Sequence, residues 1–325
     1  MALQNQGVPI SLNDLHIEAG GSSGTTCSLN DSDIRDIISK ASGATNSLFE
    51  YYGQSSETLL TSAGNVNGQP QRKEISVSSF ISSGETFRIP SNMWVWSDNT
   101  SVAALTIDIP CTVINDGKII GKGGNGGWGF SSPAATAGGP AINVTSSGVT
   151  ITNSSGAYIA GGGGGGGSYS DYSNPSDAHA GGGGGAGGGV GGRGRINQGF
   201  WQQGQGGALN AEGTDGGNGG NANNPIDNGG GAGGGGGGSQ YGGGGGGRIL
   251  PGVGGGGGNS QGDGGSAGNV GYPTGSEVWR PAGGGGGWGA AGATGGGRFA
   301  GGAGGAAIQG TSRTLNNSGT IYGST

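Results

Sequence analysis

The sequence predicts a mostly β and irregular chain. It has a small N-terminal module with one short helix (1–60), a β-rich base (61–121), and a C-terminal polyglycine II helix bundle with connecting loops (122–325), closed by a terminal strand at 313–323. Three observations predict it. Glycine accounts for 91 of the 325 residues and gathers in near-pure runs: Gly161–Gly167, Gly181–Gly192, Gly229–Gly238, Gly242–Gly247, Gly254–Gly258, Gly283–Gly287 and Gly295–Gly305. Residues 75–121 alternate apolar and polar side chains with the period of strands. A strand–turn–strand pattern at 113–121 returns at 151–161 and again at 314–323.

Residues 1–60 have ordinary composition. Ile10 and Leu12, then Leu15 and Ile17, bracket Asn13-Asp14 and read as two short strands about a turn. After the loop at Gly20–Gly24, Ser28 or Asn30 is placed to cap a helix beginning near Asp31. Ile34, Ile37 and Ile38 fall on one face of that helix and Gly43 ends it. Asp31 and Asp33 in the first turn and Lys40 in the last suit the helix dipole.

In the base, strands are expected around Ile75–Val77, Phe87–Ile89, Met93–Val95, Leu105–Ile109 and Val113, with Pro90 and Pro110 at strand ends. The repeat Val113–Gly121, Ile151–Gly161 and Thr314–Gly323 shares a strand, an Asn/Ser/Asp–Gly turn, a second strand and a glycine. Such turns mark either a hairpin or a corner between rungs. The third copy implies that the last strand returns to the base and pins the glycine excursion at both ends.

Glycine loses more backbone freedom on folding than any other residue and buries no side chain. A polyglycine stretch can instead form the left-handed three-residue helix, with ~3.1 Å rise per residue and no internal hydrogen bonds. All its N–H and C=O groups then need partners on neighbouring rods. Each such bond contributes a net ~1 kcal/mol against ~1–2 kcal/mol of backbone entropy per residue, so bonding must be dense on all sides. Collagen is excluded by the missing Gly-X-Y period, and calcium β-roll repeats by the missing nonapeptide.

Several function classes fall away. Net charge is −6 with only 10% charged residues, too mild for disorder by repulsion and of the wrong sign for a nucleic-acid surface. Cys27 and Cys111 read as free thiols. Met1–Leu15 lacks a basic region followed by an apolar stretch, and no apolar run approaches the ~20 residues of a membrane span, so a soluble chain made in the cytosol is expected. His16 and His179 are isolated, zinc-ligand spacing is absent, and no carboxylate pair or phosphate loop stands out. No metal, cofactor or catalytic residue is assigned.

The chemistry sits between the runs, in segments 168–180, 193–205, 221–228, 239–241, 248–253 and 259–282. Tyr, Trp, Arg, Asn and Ser dominate there, the residue types of adaptable binding loops. The candidate binding residues are Tyr169, Tyr172, Arg195, Phe200, Trp201, Tyr241, Tyr272, Trp279 and Arg280. The plainer alternative is that these aromatics merely cover the lattice ends. If rods alternate in direction, segments 168–180, 221–228 and 248–253 share one end and 193–205, 239–241 and 259–282 the other.

Two parts carry a family resemblance. Pro9–Glu18, Cys27–Arg35 and Phe49–Gly53 together resemble a short module of tailed-phage structural proteins. The glycine-run region resembles, in architecture and composition, the tip adhesins of T-even-type phage tail fibres. The resemblance implies a sandwich of polyglycine rods whose loops recognise a bacterial outer-membrane protein or surface glycan. It also implies a place on the virion tail, action at the host surface, and contact with other phage tail proteins through residues 1–60. Both a homotrimer and a lattice completed within one chain fit it. The competing readings are a structural tail-tip or fibre component without receptor contact, and an ice-binding protein, against which the bulky loops speak.

Overall fold

The computed structural model describes Leu3 and residues 9–38, 40–41, 43–51, 57–66, 68–128, 134–170, 179–196, 199–201, 282–295, 299–310 and 312–325. The N-terminal part holds two short helices, α1 (Leu12–Glu18) and α2 (Ser32–Asp36). The strands expected around Asn13-Asp14 are therefore replaced by a helix. A capping box explains why: Ser11 Oγ accepts from the Asp14 amide at 3.2 Å, and the Asp14 carboxylate accepts from the Ser11 amide at 2.7 Å. Leu12 and Leu15 then lie three apart on one face, and Leu15 is fully buried with Ile34, Ile37 and Tyr51. In α2 the N-cap is Asp31, not Ser28 or Asn30; its carboxylate accepts from the Ser28 amide.

From residue 57 the chain winds into a three-sided coil of parallel strands. Its first turn comprises β1 (Glu57–Leu59), β2 (Gly64–Val66), β3 (Gln69–Lys73) and β4 (Ile75–Ser76). The second comprises β5 (Thr86–Ile89), β6 (Trp94–Trp96) and β7 (Leu105–Ile107), and the third β8 (Thr112–Asn115), β9 (Lys118–Ile120) and β10 (Ile142–Val144). The fourth holds β11 (Val149–Asn153) and β12 (Tyr158–Ala160). The glycine region then supplies β13 (Tyr169–Ser170), β14 (His179–Ala180), β15 (Gly194–Ile196) and β16 (Gly199–Trp201), before β17 (Ile308–Gly310), β18 (Arg313–Asn317) and β19 (Thr320–Tyr322) return to the coil.

Stacking turn on turn gives three sheets, β1-β5-β8-β11-β18, β2-β3-β6-β9-β12-β19 and β4-β7-β10-β17, parallel throughout except for the β2–β3 hairpin. Phe87, Val113, Ile151 and Leu315 lie in register, as do Val95, Ile119, Ile159 and Ile321. This inward stack is the main core, with Phe87, Val113, Ile151 and Ile159 fully buried. The strand–turn–strand repeat is thus a corner between rungs, not a hairpin. Val77 departs from its expected strand and begins a short 3-10 turn.

A ladder of asparagines marks that corner. Asn115 Nδ2 donates to Asn153 Oδ1 at 2.9 Å, and Asn153 Nδ2 donates to Asn317 Oδ1 at 2.8 Å. Asn115 and Asn153 are fully buried, and Asn115 also receives the Gly117 amide at 3.1 Å. On the outside, Arg88 bridges Glu57 and Asp116, tying β1 to the coil. The hydrogen bond from Arg88 holds the Glu57 carboxyl below its ordinary pKa despite partial burial.

Both glycine excursions leave from the same corner of successive turns, after β9 and after β12, where the second turn has only the link 97–104 between β6 and β7.

Candidate functional site

The described glycine segments form a block held by backbone bonds. Segment 161–167 lies at its centre. Gly163 and Gly166, three residues apart, donate to Ala186 and Gly183; Gly162 and Gly165 donate to Gly139 and Thr136; Gly164 and Gly167 donate to Ala290 and Ala293. The carbonyls of the same run accept from Gly124 and Gly127, from Gly302 and Gly305, and from Gly283, Gly286 and Gly289. The period of three residues sends successive groups to different neighbours. A Cβ on any residue of Gly161–Gly167 would lie 1.9–2.1 Å from a neighbouring carbonyl oxygen. The contact distances leave no room for side chains, which is why the sequence is glycine here.

The bond pattern fixes the direction of each segment. The chain runs away from the coil along 121–127, 161–167, 187–192 and 289–295, and back toward it along 135–141, 181–186, 283–288 and 299–306. At the coil end, Gly121 donates to Ala160, Gly161 to Tyr322 and Ala141 to Ala306. At the far end, Gly127 donates to Gly166, Gly283 to Gly167, Gly192 to Gly182 and Gly295 to Phe299.

An apolar seam joins block to coil. Trp94, Ile120 and Ala160, from the sheet containing β6, β9 and β12, bury against Ala186 and Trp288, with Trp96 and Tyr322 packed beside them. Trp288 is fully buried, and among the described residues no hydrogen-bond partner reaches its indole N–H. Lys122 starts the first outward segment and donates to the Gly188 carbonyl at 2.7 Å; burial holds its pKa below the ordinary lysine value, against the pull of Asp98.

The described residues Gly127, Gly167, Gly182, Gly192, Gly283, Gly295 and Phe299, and the strands β13 to β16, lie at the far end. This overturns the expectation that 168–180 and 193–205 occupy opposite ends. Gly181–Gly192 is not one rod. It reverses in a turn at 186–188, where Gly187 and Gly188 take φ of 105° and 77°, so both flanking loops emerge together.

These loops are bonded to one another. β13–β14–β15–β16 is a four-stranded antiparallel sheet, with Tyr169 opposite Ala180, His179 opposite Arg195, Arg195 opposite Phe200 and Gly194 opposite Trp201. Four candidates, Tyr169, Arg195, Phe200 and Trp201, therefore belong to one sheet. Tyr172, Tyr241, Tyr272, Trp279 and Arg280 lie outside the described residues, as do segments 221–228, 239–241 and 248–253. The sequence reading passed over Trp128, at the tip of the first excursion. The guanidinium of Arg193 sits 4.8 Å from its ring centroid. The signal was available, because Gly123–Gly127 is itself a short glycine-rich run ending in Trp128, broken only by Asn125.

Among the described residues no group of His, Cys, Asp and Glu is arranged to hold a metal ion, and no helix is long and apolar enough to cross a membrane. What the far end offers chemically is an antiparallel sheet that includes Tyr169, Arg195, Phe200 and Trp201, mounted on a block held by backbone hydrogen bonds.

A scan against protein-family models matches residues 57–230 to the family described as phage tail fibre adhesin Gp38. A search of the curated proteins returns no match. Among solved structures the chain is similar to the gp37-gp38 adhesin tip complex of the bacteriophage S16 long tail fibre, at 18% identity and a TM-score of 0.45, covering 99% of each chain.

Proposed function

The chain belongs to the Gp38 family of phage tail fibre adhesins, and from that membership we propose that it recognises a bacterial surface receptor through the loops at the far end of its glycine block. The observation that carries this reading is the convergence of those loops. The strands β13, β14, β15 and β16 share one sheet, which includes Tyr169, Arg195, Phe200 and Trp201. Aromatic and arginine side chains on a rigid support are what contact hot spots are made of. The receptor is an outer-membrane protein or a surface glycan, and the protein acts by binding alone, without a catalytic step.

We read the glycine segments as polyglycine II helices. The three-residue spacing of their bonds and the closeness of their backbones support it. Residues 1–60 then serve as the attachment module to other phage tail proteins, 61–121 as the base, and 122–325 as the recognition unit.

The test is a loop exchange. Replacing 168–180, 193–205 and 259–282 with the loops of a relative of different host range should transfer host range. An unchanged host range, with the chimaera present on virions, would sink the reading.

A further inference from the structure

We infer that the open end of the coil, formed by β18, its corner and β19, receives a strand–corner–strand segment of another tail protein, which adds to the coil as one more turn. This contact is additional to the one proposed for residues 1–60, and it does not depend on which receptor the far end takes.

β17, β18 and β19 are the last strands of the three sheets and pair on one side only. On two of the three sides the core reaches this turn and stops uncovered. Ile151 and Ile159 are fully buried, whereas Leu315 and Ile321, next in the same ranks, are partly exposed. The third side is sealed by the chain itself. The Ser324 carbonyl accepts from the Ala307 and Ile308 amides at 2.9 and 3.1 Å, and Ile308 is buried.

The asparagine ladder is also unfinished. Asn115 Nδ2 donates to Asn153 Oδ1 and to the Tyr158 carbonyl, both on the next turn. Asn153 Nδ2 repeats this toward Asn317 Oδ1 and the Thr320 carbonyl. Asn317 is exposed, and its own Nδ2 has no acceptor among the described residues. One further corner would supply both acceptors.

Native proteins blunt exposed edges with charges, prolines or bulges. Residues 308–325 contain no proline and a single charged residue, Arg313, whose guanidinium turns back to the Ile308 carbonyl at 3.4 Å. A neutral edge of this kind is suited to strand addition, in which backbone bonds give affinity and the ranks of side chains give register.

The corners at 113–119, 151–159 and 315–321 describe the segment that fits. Each has an apolar residue two before the asparagine, a glycine two or three after it, and an isoleucine two or three beyond the glycine. A second copy of this chain does not supply such a segment. Its corners at 113–119 and 151–159 are already paired on both sides, and its first turn puts Thr58 in the rank of Phe87 and runs β2 antiparallel to β3. Two copies of β18 meeting edge to edge about Leu315 would run antiparallel and set Asn317 opposite Arg313, leaving the ladder donor unmatched.

The experiment uses virions that carry the full-length protein with a photoreactive benzophenone amino acid in place of Ser318, an exposed corner residue. Irradiation should cross-link it to a different tail protein, at a segment that mass spectrometry shows to have the apolar–x–Asn pattern followed by glycine. Asn317→Asp keeps an oxygen for Asn153 to donate to and replaces the free donor with an acceptor. It should lower the cross-link yield about ten- to hundredfold, the loss expected when a buried hydrogen bond goes unmade. Asn316→Asp places the same charge one residue earlier and should leave the yield unchanged; thermal melts verify that both variants fold. No cross-link, or one to a second copy or to a segment without the pattern, overturns the proposal. An Asn317→Asp yield equal to wild type does so as well.

Discussion

Gly165 shows at the scale of one residue what the glycine block requires. A methyl group there would meet the Asn125 carbonyl oxygen at 1.9 Å and its carbon at 2.3 Å, and backbone cannot step aside. At Gly127 the nearest atom to an added Cβ is the Ala135 amide nitrogen, at 3.1 Å. Gly165→Ala should therefore unfold the block or prevent its assembly, whereas Gly127→Ala, which asks its neighbours to give by a few tenths of an ångström, should be much the milder change; paired thermal melts decide it. Asn153 makes the complementary case inside the coil. Replacing it with leucine leaves the Asn115 amide short of one buried acceptor, so a loss of about 1–3 kcal/mol is expected from chemical denaturation. Neither position stood out by its side chain. The asparagines were visible as turn residues of a repeat, but their bonds to one another appear only once the turns are stacked.

Among the elements, β5, β7 and β8 were legible because each buries one face and so alternates along the chain, whereas β6 and β9 also bury Trp94 and Ile120 on the opposite face, against the block. Helix α1 was not, because Ile10, Leu12, Leu15 and Ile17 satisfy two periods at once and the Ser11–Asp14 capping box decides between them. The rung corners were half legible. A strand, an Asn–Gly turn and a strand look alike locally in a hairpin and in a coil, and only the partner distinguishes them. The reversal at 186–188 was hidden for a different reason, since within a glycine run no side-chain pattern records where the chain turns. The seam offers an element-scale prediction. Trp288→Ala removes the largest fully buried side chain and should cost about 3–5 kcal/mol, seen as a lower melting temperature. The Arg88 bridge offers another. The Glu57 carboxyl has its pKa depressed in the folded state, so its contribution is present above about pH 4.3 and is lost as pH falls through the folded value. Arg88→Met should lower stability most at neutral pH, with the gap to wild type closing as pH falls from about pH 5 to pH 3, so that the acid limb of the profile is flatter.

For the whole molecule, the sequence revealed the division of labour but not its geometry. The pairing of Leu315 with Ile151 shows that the final strand does return to the base. The block that intervenes is an insertion at one corner of two successive turns, and the described parts of 168–180 and 193–205 meet at one end where alternating rods had suggested two. The proposed roles make a prediction at this scale. A chain lacking residues 1–56 should retain the coil, whose main core is drawn from residues 60–321, and should still bind cells, yet be missing from purified virions. Its presence there at normal levels would show that attachment resides elsewhere.

The centre of the block has a mechanical meaning. Segment 161–167 is bonded sideways to neighbours on all its flanks, and the bonds stand across its length. Tension applied at the loops and resisted at the coil runs along that length. The bonds are then strained together, in shear, and none can be peeled away ahead of the rest. A hairpin pulled at its tip opens one pair at a time; this frame has no first pair to open. A particle tethered to a moving cell by such a frame is held until many weak bonds fail at once.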